Sequence, residues 1–195
     1  MGLKIAVTGG IGSGKSTVCK ALSAFGYPVY DTDVMARSLM NSDVELMREI
    51  VAEFGDGAYA NGQLDRAFIA RQVFGSSERL ARLNAIVHPA VVADVLRWAS
   101  DRSERLLFVE TALLFESGLD SVVDRSIAVV APESLRIERV ISRDGTTKEE
   151  VCRRMSSQME QQELAARCDY TIVSDSVRPV LPQLERIVEQ LEGSL

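Results

Sequence analysis

The chain has 195 residues, 46% of them hydrophobic and 26% charged, which supports one continuous folded core and excludes a disordered or fibrous chain. A net charge of −6 and a pI near 5.0 exclude extended contact with a nucleic-acid backbone, which needs many cations set against phosphates. No apolar run approaches the roughly 20 residues of a membrane helix, and neither a signal peptide nor a membrane partner is expected.

Leu3 to Thr8 reads as a short buried strand, and the glycine-rich turn from Gly9 to Gly14 leads into a helix beginning at Lys15. Gly26 closes that helix. Pro28-Val29-Tyr30 suggests a second strand, with Asp31-Thr32-Asp33 at its C-terminal end, the end of a parallel sheet where ligands bind. Residues 34 to about 102 read as helical almost throughout, with Leu46, Ile50 and Phe54, then Phe68, Val73, Leu80, Leu83 and Val87 at helical intervals. Glycines between Gly55 and Gly62 interrupt them, so a helical lobe inserted between strands is expected. His88 precedes Pro89 and is expected at a helix junction, because the residue before proline is pushed out of helical geometry.

Leu106 to Val109, ending in Glu110, and Ile127 to Val130, stopped by Pro132, read as strands buried on two faces. Pro132 to Arg143 reads as a helix ended by Asp144-Gly145, and Thr147 as the cap of the next, with Glu150 reaching back to it. A strand at Tyr170 to Val173 and an amphipathic helix ending at Gly193 complete the alternation. Five strand candidates separated by helices predict an α/β three-layer sandwich around a five-stranded parallel sheet with right-handed crossovers. The expected organisation is one domain over 1–195, with the helical insertion at about 34–102 and a helical lid at about 132–165.

Gly9-Gly10-Ile11-Gly12-Ser13-Gly14-Lys15-Ser16 satisfies the phosphate-loop pattern Gly-x-x-x-x-Gly-Lys-[Ser/Thr] in the strand–loop–helix context that gives the pattern its meaning. The glycines let backbone N–H groups turn inward at phosphate oxygens, and the following helix adds positive potential at its N-terminus. Lys15 is then expected at the β- and γ-phosphates and Ser16 at Mg²⁺. Asp31 and Asp33 are carried to the same sheet edge; Asp33 is the expected general base, while Asp31 or Thr32 suits a helix cap. Glu110, closing an apolar strand, stands where a carboxylate orients Mg²⁺ directly or through water.

Arg136, Arg139 and Arg143 share one helix face ahead of the Asp144-Gly145 turn, as in a lid that brings arginines over a transferring phosphoryl group; a solvated face paired to Glu133 and Glu138 is the alternative. Of 22 basic residues only Lys4, Lys15, Lys20 and Lys148 are lysines, and the remainder are arginines, suited to gripping phosphate oxygens. Cys19, Cys152 and Cys168 are far apart, without a Cys-x-x-Cys pair, and with a single histidine they assemble neither a disulfide framework nor a zinc site. A reducing cytoplasm fits this usage best.

Thr8 to Thr17, Asp31-Thr32-Asp33, His88-Pro89, Leu113-Leu114-Phe115-Glu116 and Arg143-Asp144-Gly145 together closely resemble the bacterial dephospho-coenzyme A kinase family. Gln158-Met159 and Cys168-Asp169-Tyr170 with Ile172 extend the resemblance over residues 3 to about 175. It implies the last step of coenzyme A synthesis, in which ATP phosphorylates the ribose 3′-hydroxyl of dephospho-coenzyme A. It implies that Gly12, Ser13, Gly14, Lys15, Ser16 and Thr17 bind ATP, that Asp33 is the base, and that Arg143 belongs to the lid. It also implies that Arg66, His88 and Leu113-Leu114-Phe115-Glu116 lie near the acceptor. The chain departs from the family at Glu110 and Ala112, usually Asp and Pro, at Leu164, usually Lys, and at Ser174, usually Asn.

Two other functions share these features. One is a different small-molecule kinase on the same scaffold, such as a nucleoside monophosphate kinase. The other is a nucleotide-dependent switch, although the guanine-reading Asn-Lys-x-Asp is absent. No spacing in the chain sets an oligomeric state.

Overall fold

A computed structural model describes residues 2–193 and divides them between two compact units, one formed by residues 2–30 and 99–193 and the other by Asp31–Trp98. The first holds β1 (Leu3–Thr8), α1 (Lys15–Ala24), β2 (Val29–Asp31), which ends at the unit boundary, β5 (Leu106–Glu110) and β6 (Arg125–Val130). It continues through α6 (Glu133–Asp144), α7 (Lys148–Ser156), α8 (Gln161–Arg167), β7 (Tyr170–Val173) and α9 (Val180–Gly193). The helical unit holds α2 (Thr32–Ser42), α3 (Val44–Phe54), the hairpin β3 (Tyr59–Ala60) and β4 (Gln63–Leu64), α4 (Arg66–Val73) and α5 (Ser77–Ser100), which runs two residues past the boundary.

The sheet order is β2-β5-β1-β6-β7. β1 pairs in parallel with β5, Leu3 opposite Leu106 and Val7 opposite Glu110, and with β6, Val7 opposite Ile127. The pairing of Ile127 with Tyr170 adds β7, also in parallel. Ile5, Val7, Phe108, Ile127, Val129 and Ile172 are buried beneath Val18 and Leu22 of α1 and Leu184, Val188 and Leu191 of α9. Strands covered on both faces need no alternation, which is why they read as unbroken apolar runs. Full burial of one such side chain, Phe108, contributes about 1.5–3 kcal/mol.

Within the helical unit two expectations change. The glycine-rich interruption forms a two-stranded antiparallel hairpin, Tyr59 opposite Leu64, anchored by the Tyr59 hydroxyl donating to the Met40 carbonyl at 2.7 Å. His88 does not sit at a junction: Pro89 lies inside the 24-residue α5, which continues through it. Buried Val87, Val91 and Val95 form one stripe across the proline, and packing on both sides of it offsets the lost backbone hydrogen bond.

Candidate active site

Gly14, in the left-handed region at φ 100°, caps α1 without a side-chain bond, so the amides of Lys15 and Ser16 keep their hydrogens unspent. Among the described residues no backbone carbonyl accepts from the amides of Gly12, Gly14, Lys15 or Ser16, whereas Ser13 N–H donates to the Gly10 carbonyl at 3.1 Å and closes a turn within the loop. Gly12 has φ 78°, and a Cβ there would stand 2.4 Å from the Arg136 carbonyl, so only glycine permits this approach of loop and helix. Ile11 at the loop tip packs against Ile137, Val140 and Val151, buried between α6 and α7. The hydroxyls of Thr8 and Ser13 are buried without a hydrogen-bond partner.

Lys15, Ser16 and Glu110 come together. Ser16 Oγ donates to Glu110 Oε1 at 2.7 Å and Lys15 Nζ lies 3.3 Å from the same oxygen. The Lys15 and Glu110 side chains are only 14% and 12% exposed, so each offsets the cost of withdrawing the other from water. β5 delivers Glu110 opposite Val7, the penultimate residue of β1, so adjacent strand ends fix the carboxylate beside the loop. Thr17, two residues into α1 from Lys15, is exposed.

The arginines of α6 do not form one exposed row. Arg136 is buried and donates through Nε to the Ile11 carbonyl at 2.9 Å; burial lowers its pKa, an effect only partly countered by Glu133 and Glu160. Arg139 reaches the Gly12 and Ser13 carbonyls at 3.3 and 3.4 Å and the Ser174 carbonyl at 3.0 Å. Its guanidinium also meets the hydroxyls of Ser174 and Ser176 at 3.2 and 3.4 Å. Only Arg143 remains on the exposed side, where it grips Asp144 through Nε at 2.6 Å and a terminal nitrogen at 3.0 Å. Arg154 on α7 donates to the same carboxylate at 3.0 Å, and these two arginines hold the Asp144 pKa down to about 2.

The expected capping box forms only in part. Thr147 Oγ1 accepts from Glu150 N–H at 3.3 Å, but the Glu150 carboxylate pairs with Arg153 one turn on instead of reaching back. Arg153, three residues on along the same helix face, takes the carboxylate as an ion-pair partner in place of the cap. After β5, Leu114 is buried, Phe115 lies under the Arg167 guanidinium at 3.8 Å, and exposed Glu116 accepts from Met159 N–H at 3.4 Å. Leu113 N–H donates to Thr111 Oγ1 at 3.2 Å.

In the helical unit, Asp31 caps α2 by accepting from the amides of Asp33 and Val34 at 2.9 and 3.0 Å, which leaves the exposed Asp33 carboxylate out of the cap. Arg66, exposed, opens α4 behind its cap Asp65, and His88 is half-buried in α5. Leu164 is buried in α8, and Ser174 is buried at the end of β7 as a partner of Arg139. Gln158, whose Oε1 accepts from Ile11 N–H at 2.9 Å, is a loop contact that spacing did not reveal.

Mg²⁺ takes oxygen donors and is usually held by one or two protein groups together with phosphate oxygens and water. The Ser16 hydroxyl and the Glu110 carboxylate, meeting beside the loop, fit that donor set.

The profile of the dephospho-CoA kinase family matches residues 3–179. A dephospho-CoA kinase of Porphyromonas gingivalis is 39% identical over 188 residues, covering 96% of this chain and 93% of the relative. One of Chlorobaculum tepidum is 42% identical over 202 residues, covering 99% and 95%. A crystal structure of a Thermus thermophilus protein superposes with a TM-score of 0.80 at 37% identity, covering 100% of this chain and 98% of that one.

Proposed function

We propose the following reaction for this chain, which belongs to the dephospho-CoA kinase family: transfer of the γ-phosphoryl group of ATP to the ribose 3′-hydroxyl of dephospho-CoA, giving CoA and ADP. It is an enzyme, an ATP-dependent phosphotransferase of the last step of CoA biosynthesis. The observation that carries the reading is the convergence of Lys15 and Ser16 on one oxygen of Glu110, beside a loop in which the amide hydrogens of Gly12 and Gly14 are unspent.

Phosphoryl transfer asks the protein mainly for positioning and charge stabilisation. The amides of Gly12, Gly14, Lys15 and Ser16 and the positive end of α1 receive phosphate oxygens, with Ser13 and Thr17 completing the nucleotide segment. Lys15 sets its ammonium against the β- and γ-phosphates. Ser16 and Glu110 would hold Mg²⁺, which when bound neutralises phosphate charge. Arg143, oriented by Asp144 at the end of α6, faces negative charge as it develops on the transferring group.

The helical unit supplies Asp33, free of the capping role that Asp31 performs, as acceptor of the proton leaving the attacking hydroxyl. Arg66 and His88 of that unit, and Leu113, Leu114, Phe115 and Glu116 after β5, serve the acceptor. All three cysteines are free thiols, which supports a reducing, cytoplasmic setting.

The test is a panel of acceptors incubated with ATP and Mg²⁺ and read by mass spectrometry for the gain of one phosphate. Dephospho-CoA should be phosphorylated; a mononucleotide that reacts while dephospho-CoA stays unmodified would reassign the acceptor.

A further inference from the structure

A planar trans peptide points its C=O and the next residue's N–H in opposite directions, so whatever holds the oxygen also aims the hydrogen. In the loop three consecutive carbonyls are held by side chains of α6: Ile11 by Arg136, and Gly12 and Ser13 by Arg139. The hydrogens opposite them belong to Gly12, Ser13 and Gly14. Ser13 N–H is spent inside the loop on the Gly10 carbonyl, which leaves those of Gly12 and Gly14 without a backbone acceptor among the described residues. Gln158 takes the preceding N–H, that of Ile11, so the polar groups of the loop are sorted into a side bound by protein and a side left for a ligand.

We propose that Arg136 and Arg139 are positioning residues for ATP, which pin the outer carbonyls of the phosphate loop and so aim the amide hydrogens of Gly12 and Gly14 at phosphate. The inference rests on the reading above that this loop receives the ATP phosphates.

Glycine peptides flip at little steric cost, so a loop with positive φ at Gly12 and Gly14 needs something to hold one orientation. Two guanidinium groups, one buried, provide it: arginine has donors only, and turning a carbonyl away would take an acceptor from donors that have left water to reach it. Both terminal nitrogens of Arg139 already serve the loop, Ser174 and Ser176, and the contact of Ile11 with Ile137 and Val140 locks loop and helix further. Ser174, where the family usually has asparagine, gives Arg139 both its hydroxyl and its carbonyl.

The test uses the full chain carrying Arg136→Met or Arg139→Met, which keep the apolar stem. Mg²⁺-ADP affinity should fall about tenfold in each, and more than kcat at saturating ATP falls. Amide hydrogen exchange of residues 9–14 in the nucleotide-free protein should accelerate, with strand β1 unchanged. ADP affinity within about twofold of the parent, together with a large loss of kcat, would instead put the arginines on the transferring group and overturn the proposal. Unchanged exchange in the loop would also overturn it. Should a Met variant fail to fold, Arg136→Lys and Arg139→Lys keep the charge without the planar fork; several-fold weaker ADP binding supports the proposal and parental affinity overturns it. ADP binding and exchange do not involve the acceptor, so failure of dephospho-CoA turnover in the unaltered chain bears only on the proposed reaction.

Discussion

The hydroxyl of Ser16 lies 2.7 Å from Oε1 of Glu110, so the first turn of α1 and the end of β5 meet on one carboxylate oxygen that Lys15 also approaches, at 3.3 Å. A hydroxyl and a carboxylate in contact fit the oxygen-donor set proposed for a magnesium ion on the nucleotide. Ser16→Ala should raise the Mg²⁺ concentration for half-maximal turnover about tenfold, and Glu110→Ala should raise it at least as far. A magnesium titration at saturating ATP measures this; an unchanged midpoint in both variants would confine the pair to holding the loop.

On the proposed reaction Lys15→Ala removes the cation assigned to the transferring group, and kcat should fall about 10²- to 10³-fold. The carboxylate left behind is still bonded by Ser16, so the fold should survive, as circular dichroism can verify. Near-parental turnover would count against the whole assignment of the loop.

Because Asp31 rather than Asp33 bonds the first amides of α2, replacing Asp33 leaves the cap in place. Asp33→Asn should lower kcat about 10²- to 10⁴-fold while ATP affinity stays within about twofold. Equal losses in both would mark Asp33 as a structural or metal-associated residue.

Asp144 joins the ends of α6 and α7 by accepting from Arg143 and Arg154. These arginines lower its pKa from 3.8 to about 2, so the folded state favours the ionised form. The contribution is complete above pH 3.8 and is lost as pH falls through about 2. The stability difference between the parent and Asp144→Asn, measured by denaturant unfolding at successive pH values, should therefore shrink across that window. A difference constant down to pH 2 would show that the carboxylate charge does not make the tie.

The phosphate loop was legible because its signal is local: eight consecutive residues carry the glycines, the lysine and the serine between a strand and a helix. The three central strands, β1, β5 and β6, were equally legible, since strands buried on both faces appear as apolar runs bounded by turn residues. Pro89 misled for a related reason. A local rule for the residue before proline was set against a valine stripe whose weight comes from tertiary packing.

What the sequence determined by itself was an alternating α/β chain with a phosphate loop, a helical insertion and arginines spaced to share a helix face. The order β2-β5-β1-β6-β7, the single oxygen shared by residues 94 and 95 positions apart, and the turn of Arg136 toward a carbonyl 125 positions away were settled only by tertiary structure. Periodicity records which side of an element is withdrawn from water, whereas the partner of a long polar side chain depends on which other element packing brings within about 3 Å of it.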